Sequence, residues 1–422
     1  MRSIIVQNTD GEPLDLLQIE ETVEKTLRDK KLKKVLLIPP DFTRFHSMAG
    51  MITEIYYNKL KDTCEIDILP ALGTHDAMTE SECSEMFGSI PYELLIEHDW
   101  ENDVVKIGEV PASFVNEVSE GLINESIPVE VNKLLMDDSY DLIVSIGQVV
   151  PHEVVGMANY SKNVLVGCGG SKMISSSHML GAFYGMERIM GRDFSPVRKV
   201  FDYAEKNFIN KLPLMYFLTV TTAVGDDVDI HGVFTGRDRE IFEKAVALSQ
   251  KVNLNYLDEA PKKMVVYLAD KEFKSTWLGN KAVYRTRMAI ADGGELIILA
   301  PGVQKFGEDS RVDKIIRKYG YVGREKTLEL VKTEKDLSGN LSAAAHMIHG
   351  SSDDRFSITY AVKKMSREEI EGVNFKYADY DEMVSIYNPD KLTDGWNTVN
   401  GEKIYYISNP ALGLWAERKK IQ

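Results

Sequence analysis

The chain has 422 residues, 44% of them hydrophobic and 27% charged, with a formal net charge of −15. That profile excludes a disordered or low-complexity chain, exceeds the size at which one core keeps growing, and disfavours nucleic acid and anionic membrane as partners. Cys64, Cys83 and Cys168 show neither zinc-site spacing nor disulfide density, and no leader or bilayer-length apolar run is evident, so a cytoplasmic protein is expected.

Lys34 to Pro40 predicts a strand, a helix follows from Met48, and Glu65 to Pro70 predicts a second strand. Tyr140 to Gly147 predicts a third, ended by Pro151, which removes an amide donor. The stretch after His152 then reads as a strand running into a turn rich in glycine and serine. Val197 to Phe208 is expected to be helical, Leu214 to Val220 extended, and Phe242 to Val252 helical. Pro261 restarts the pattern with a strand from Met264, a helix through Ala291, the turn at Asp292 and a strand from Glu295. This alternation predicts an α/β fold: two α/β domains with mainly parallel sheets flanked by helices, and the active site in the inter-domain cleft. The expected division is 1–260 for an N-terminal catalytic domain and 261–402 for a C-terminal domain, with the tail 403–422 free to pack back on the first.

Each of the first three strands ends near a proline and a polar group, which brings candidate chemistry to one side of a sheet. After Pro40 come Asp41, Phe42, Thr43 and Arg44. An arginine fork can hold a carboxylate, a threonine can donate to phosphate, and an aspartate can orient an imidazole; a capped turn with a solvated arginine would look the same. After Pro70 come Gly73, Thr74 and His75, where histidine suits proton exchange and glycine lets a ligand approach, although a structural histidine fits equally. His152 follows the third strand. Gly167, Gly169 and Gly170 suggest a phosphate cradle, but the spacing is neither that of a Walker loop nor G-x-G-x-x-G. His178 is one imidazole, unable to hold a metal without other ligands, and a structural role stays open.

Taken together, His152, nine residues, Lys162, fifteen residues and His178, with D-x-T-R and G-T-H upstream, resemble the nickel-dependent lactate racemase family. The resemblance implies a nickel-pincer nucleotide, a pyridinium-3-thioamide-5-thiocarboxylic acid mononucleotide covalently attached to Lys162, with His178 as a nickel ligand. It implies His75 and His152 as the acid/base pair and Arg44 as the carboxylate anchor. Asp41 would support His75, and Thr43 would lie near the cofactor phosphate. In the second domain, Trp277 and Lys281 keep the family's aromatic and lysine, for cofactor and substrate, whereas Leu278 replaces a glutamine and puts lactate itself in doubt. Ala158, Asn159 and Tyr160 also depart from a stretch that is usually rich in glycine.

The implied reaction is inversion of C2 in a 2-hydroxy acid, lactate-like or longer as in malate or an aldonate, by transient hydride transfer. Two histidines serve because each enantiomer presents its hydroxyl to a different side. Implied partners are the small-molecule acid and the cofactor-biosynthesis proteins that load the nucleotide. The alternatives are a nicotinamide-dependent 2-hydroxy acid dehydrogenase, which the missing glycine fingerprint disfavours, and a cofactor-free organic-acid binding protein. His346 and His349 are expected at a helix end closed by Gly350; His46, His98 and His231 are expected at the surface or in satisfied core positions; and Glu80 to Glu85 is expected as a solvated helix face.

Overall fold

A computed structural model describes residues 3–8, 11–224, 227–411 and 413–421. The chain divides into two units: residues 1–180 with 188–253, and residues 181–187 with 254–422. Among the described residues no helix is long and apolar enough to cross a membrane.

The first unit carries β1 (Ile4–Val6), β2 (Lys34–Ile38), β3 (Glu65–Ile68), β4 (Val104–Val110), β5 (Ile127–Asn132), β6 (Leu142–Gln148), β7 (Pro151–His152), β8 (Gly156–Met157), β9 (Leu214–Val224) and β10 (Asp227–Gly236). Its main sheet runs β1-β10-β9-β6-β2-β3. From β9 to β3 all neighbours are parallel, whereas β10 pairs antiparallel with β9 and β1. Leu36 and Ile38 of β2 enter one core layer while Val35 and Leu37 enter the other, so the pleat sends alternate side chains to two buried faces. One face is covered by helices such as Leu16–Leu27 and Ala49–Leu60, the other by Pro196–Ala204 and Arg239–Asn253.

The second unit carries β11 (Leu254–Leu257), β12 (Lys263–Tyr267), β13 (Gly294–Ala300), β14 (Phe356–Val362), β15 (Lys376–Asp379), β16 (Gly395–Val399), β17 (Glu402–Ile407) and β18 (Leu414–Glu417). Its sheet order is β15-β14-β13-β12-β17-β16, parallel except for the final hairpin. The closing segment joins this unit through β17, and through β18 beside β11. The architecture is therefore α/β, with two mainly parallel mixed sheets flanked by helices.

Three local expectations give way to different structure. Strand β6 ends at Gln148 rather than at Pro151: Gly147 and Gln148 still pair with β9, and Pro151 opens the hairpin β7–β8 instead of closing the strand. Asn163–Gly167 is a buried π-helical turn and Ser171–Tyr184 a helix, not a strand and a turn. Val164, Leu165 and Val166 are all buried, so no alternation marked the period, and a segment without a strand edge to pair with must bond within itself. The helix expected through Ala291 is two single turns, Thr276–Gly279 and Lys281–Tyr284. Beyond them the carbonyls of Arg285 and Met288 accept from the amides of Trp415 and Glu417, so they are unavailable to extend a helix.

Candidate active site

Adjacency of β6, β2 and β3 brings the segments that follow these three parallel strands to one sheet edge. At the end of β2, Asp41 caps the 3₁₀ segment Phe42–Ser47, its Oδ1 accepting from the Thr43 amide at 2.9 Å and the Thr43 hydroxyl at 2.5 Å. Its Oδ2 accepts from His75 Nδ1 at 2.5 Å. Burial alone would raise the Asp41 carboxyl, but the His75 ring, the bonds from His75 and Thr43, and the Arg44 charge outweigh it and hold the pKa at about 2. Facing an ionised carboxylate, His75 carries its proton on Nδ1, which leaves the Nε2 lone pair directed away from Asp41. The turn that delivers His75 needs Gly73, at φ 60°, whose amide donates to Gly167 O at 2.8 Å. Thr43, whose hydroxyl proton is committed to Asp41, would offer a phosphate a contested donor.

His152 is buried at the start of the β7–β8 hairpin, and its Nδ1 accepts from the Val154 amide at 3.1 Å. The neutral ring therefore holds its proton on Nε2, the opposite tautomer to His75. Burial pushes its pKa well down, Glu153 opposes, and Lys162, Arg44 and His178 push it further down. The Glu153 carboxylate lies 3.6 Å from the same Nδ1.

Lys162 begins the π-helical turn, fixed there by Asn163, whose amide donates to Ile38 O at 3.2 Å and Ser145 Oγ at 3.0 Å. Burial, reinforced by Arg44 and Arg198 and opposed by Glu153 and Asp41, lowers its pKa to about 8. His178 stands on the helix Ser171–Tyr184 with Nδ1 donating to Ile174 O at 2.7 Å, so its Nε2 bears the lone pair. Burial lowers its pKa as well, against the Ile174 bond, with Lys162 adding to the drop. Among the described residues no three His, Cys, Asp or Glu side chains group as a metal site, so His178 could bind a metal only beside ligands from a non-protein group.

The glycines near Lys162 serve close packing. A Cβ on Gly167 would meet Ala71 Cβ at 2.6 Å, one on Gly169 would meet Leu165 O at 2.0 Å, and one on Gly170 would meet Glu130 Oε2 at 2.5 Å. His98 secures that turn from below: its Nε2 donates to Gly169 O at 3.0 Å and its Nδ1 accepts from Asn132 at 3.0 Å.

Trp277 and Lys281 belong to the second unit. Trp277 stacks on His346 at 4.2 Å, and His346 is held by Tyr321 OH at 2.9 Å. Lys281 is buried over the Phe273 ring at 5.3 Å, and Leu278 sits between them on the Thr276–Gly279 turn, half-buried. The helix carrying His346 and His349 does end at Gly350, yet His346 is more than a cap because it carries the Trp277 ring. Glu153, the Val154 amide and Arg198 escaped the sequence reading, as did the stacking of His346 on Trp277. No motif marks them, since each reaches its partner through the fold.

Residues 12–189 match the family model described as the lactate racemase N-terminal domain. Over that span the chain is similar to the lactate racemase N-terminal domain. The matched segment contains Asp41, Thr43, Arg44, His75, His152, Lys162 and His178. The lactate racemase apoprotein from Thermoanaerobacterium thermosaccharolyticum has a similar fold, with TM-score 0.68, 18% identity, and 94% of this chain and 93% of that one covered. A protein of known structure from Thermotoga maritima is similar at TM-score 0.84 and 24% identity, covering 98% of this chain and 100% of that one. A comparison with curated proteins gives no match. The lactate racemase likeness in fold thus spans both units.

Proposed function

We propose that this protein is a racemase or epimerase that inverts C2 of a 2-hydroxy acid, working with a nickel-pincer nucleotide attached to Lys162. One arrangement carries the reading: the half-buried Lys162 amine, its pKa lowered to about 8 by desolvation, lies at the sheet edge that presents a carboxylate-oriented imidazole. The chain's donor set fits the nucleotide. Lys162 offers an amine that is partly neutral near physiological pH, and His178 keeps Nε2 open because Nδ1 is committed to a carbonyl. When bound, the nucleotide supplies a reversible acceptor for the hydrogen on C2.

The remaining work falls to this chain's own residues. His75 takes the substrate hydroxyl proton at Nε2, and Asp41 stabilises the imidazolium that forms, an acid/base contribution of about 10²- to 10⁴-fold. Arg44 holds the carboxylate through its fork. His152 presents Nε2–H as a donor; to take a proton from the mirror-image substrate, its Nδ1 must exchange the Val154 amide for an acceptor, and Glu153 is 3.6 Å away. Lys281 adds a second cation for the carboxylate, and Trp277 an aromatic face for the cofactor. Leu278 in place of an amide puts lactate itself in doubt, and the acid proposed is a 2-hydroxy acid, lactate-like or longer.

Expression together with the cofactor-making proteins, followed by intact mass, metal analysis and a chirality-resolved screen of 2-hydroxy acids, tests the proposal. A nickel-containing adduct on Lys162 and racemisation without solvent deuterium at C2 are expected. Lys162→Ala should lose both, whereas His75→Ala and His152→Ala should keep the adduct and lose turnover. Wild-type turnover by Lys162→Ala would refute the tether.

A further inference from the structure

The segment that leads into Lys162 is held in an unfavourable backbone by a buried cation from a distant helix. Asn159 and Tyr160 both lie in the left-handed region, at φ 65° and 56°, a conformation that glycine adopts freely and a tyrosine resists. Asn159 offsets part of this by accepting the Tyr160 amide on its own Oδ1 at 2.7 Å, and its amide nitrogen packs where a Cβ on Gly147 would stand, 2.1 Å away. Tyr160 stacks on Phe242 at 5.1 Å and donates to Arg237 O at 2.9 Å. Around this turn closes Arg198, which is 1% exposed. One of its terminal nitrogens donates to Ser161 Oγ at 2.9 Å, the other to Met157 O at 2.8 Å and Asn159 O at 3.1 Å, while the guanidinium lies over Phe242 at 4.4 Å.

Every one of those acceptors is a neutral oxygen and Arg198 Nε has no hydrogen-bond partner, although the nearby Asp202 and Asp193 carboxylates offset part of the cost of its burial. A guanidinium buried this way costs more than an apolar side chain of the same size would, so stability alone does not account for it. What the arrangement does provide is a rigid fork that ties the Met157 and Asn159 carbonyls and the Ser161 hydroxyl together in the five residues before Lys162. Its helix is tied to the same hairpin a second time: Ser195, which caps Pro196–Ala204, donates to Val155 O at 2.8 Å.

We infer that Arg198 is a positioning residue whose fork clamps residues 157–161 in their left-handed turn and thereby aims the Lys162 amine for attachment of the nucleotide. The inference rests on the proposed tether at Lys162. The clamp does in this chain, with asparagine and tyrosine, what a glycine pair would do without help. Arg237 supplies a control: a half-buried arginine whose side chain donates to the carbonyls of Ile209, Leu212 and Leu214 and pairs with Glu205, while only its main-chain carbonyl, which a substitution keeps, meets the turn at Tyr160.

The test measures two things in Arg198→Met, Arg198→Lys and Arg237→Met: amide hydrogen exchange across 157–162 in the unloaded protein, and the fraction of chains adducted at Lys162 after loading, by intact mass. Arg198→Met should exchange at least tenfold faster in that peptide with β6 unchanged, and its adduct fraction should fall at least fivefold. Arg198→Lys, which keeps the charge and one donor direction, should recover at least half of the adduct, and Arg237→Met should match wild type in both. Wild-type exchange and loading in Arg198→Met, or equal losses in Arg237→Met, would overturn the assignment. If Arg198→Met does not fold, Ser161→Ala removes one clamp contact instead, and unchanged exchange and loading there would overturn it equally. Absence of any adduct in wild type would refute the tether, while the exchange contrast would still decide the clamp.

Discussion

His75 and His152 are the same side chain set in opposite tautomers by their partners, a carboxylate for one and a backbone amide for the other. For His75, Asp41→Asn should keep the fold and the adduct but lower turnover by about 10²- to 10⁴-fold, since nothing would then stabilise the imidazolium. The same substitution has a signature in stability. The folded-state pKa of Asp41, about 2, lies below its ordinary value of 3.8, so the ionised carboxylate contributes about 2 kcal/mol that is fully present above pH 4 and lost as pH falls toward 2. Urea denaturation of wild type and Asp41→Asn should therefore differ at pH 6 and converge near pH 2. Lys162 has the opposite consequence. Burial lowers its amine from 10.5 to about 8, so the folded protein bears a penalty that is full below pH 8 and gone above 10.5. Lys162→Met should accordingly be more stable at pH 7 by up to about 3 kcal/mol, with an advantage that shrinks steadily between pH 8 and 10.5. An inactive variant that is also less stable at pH 7 would contradict this. The histidines and Lys162 could be singled out in the sequence because their types and spacing carry the family resemblance that implies their roles. Their tautomers, and the role of Arg198, could not, because the deciding partners are main-chain groups and a helix far along the chain.

At the scale of elements, the join between the Lys162 turn and the His178 helix is set by contact between backbones. Gly169 places its Cα where an added Cβ would lie 2.0 Å from Leu165 O, an atom of the π-helical turn itself that cannot rotate aside. Gly169→Ala should force the turn and the helix Ser171–Tyr184 apart, lower the melting temperature by several degrees and abolish loading, because Lys162 and His178 would no longer share one geometry. A variant with wild-type melting and a full adduct fraction would show that the join is tolerant. Sequence periodicity located β2, β3 and β6 well, since their buried runs end in prolines and polar groups that mark the sheet edge. It misread 163–177 for a physical reason: Val164 to Val166 are β-prone residues, but they lie over a sheet whose strands are already paired, so the backbone closes its hydrogen bonds locally. The helix expected through Ala291 failed for a related reason, its carbonyls having been taken by β18, which lies more than a hundred residues later in the chain.

Across the whole molecule, a formal net charge of −15 has to be reconciled with an anionic substrate. The long-range field of the chain repels a 2-hydroxy acid, whereas attraction resides in the cations proposed for its carboxylate, Arg44, which itself lies near Asp41, and Lys281. Salt acts unequally on these two terms. Raising ionic strength from about 10 mM to about 150 mM shortens the screening length from about 30 Å to about 8 Å, which removes repulsion from distant acidic residues while leaving contact pairing largely intact. For the loaded enzyme, KM for a 2-hydroxy acid anion should therefore fall about two- to threefold over that range with kcat unchanged, provided the added anion binds weakly, and an uncharged ester of the same acid should show no trend. In Arg44→Ala the fall should persist on a higher KM, because the repulsive term does not depend on that side chain. A KM that rises steeply with salt would mean that the cations at the sheet edge govern capture from a distance, and that the acidic surface of the molecule is arranged to leave their approach open.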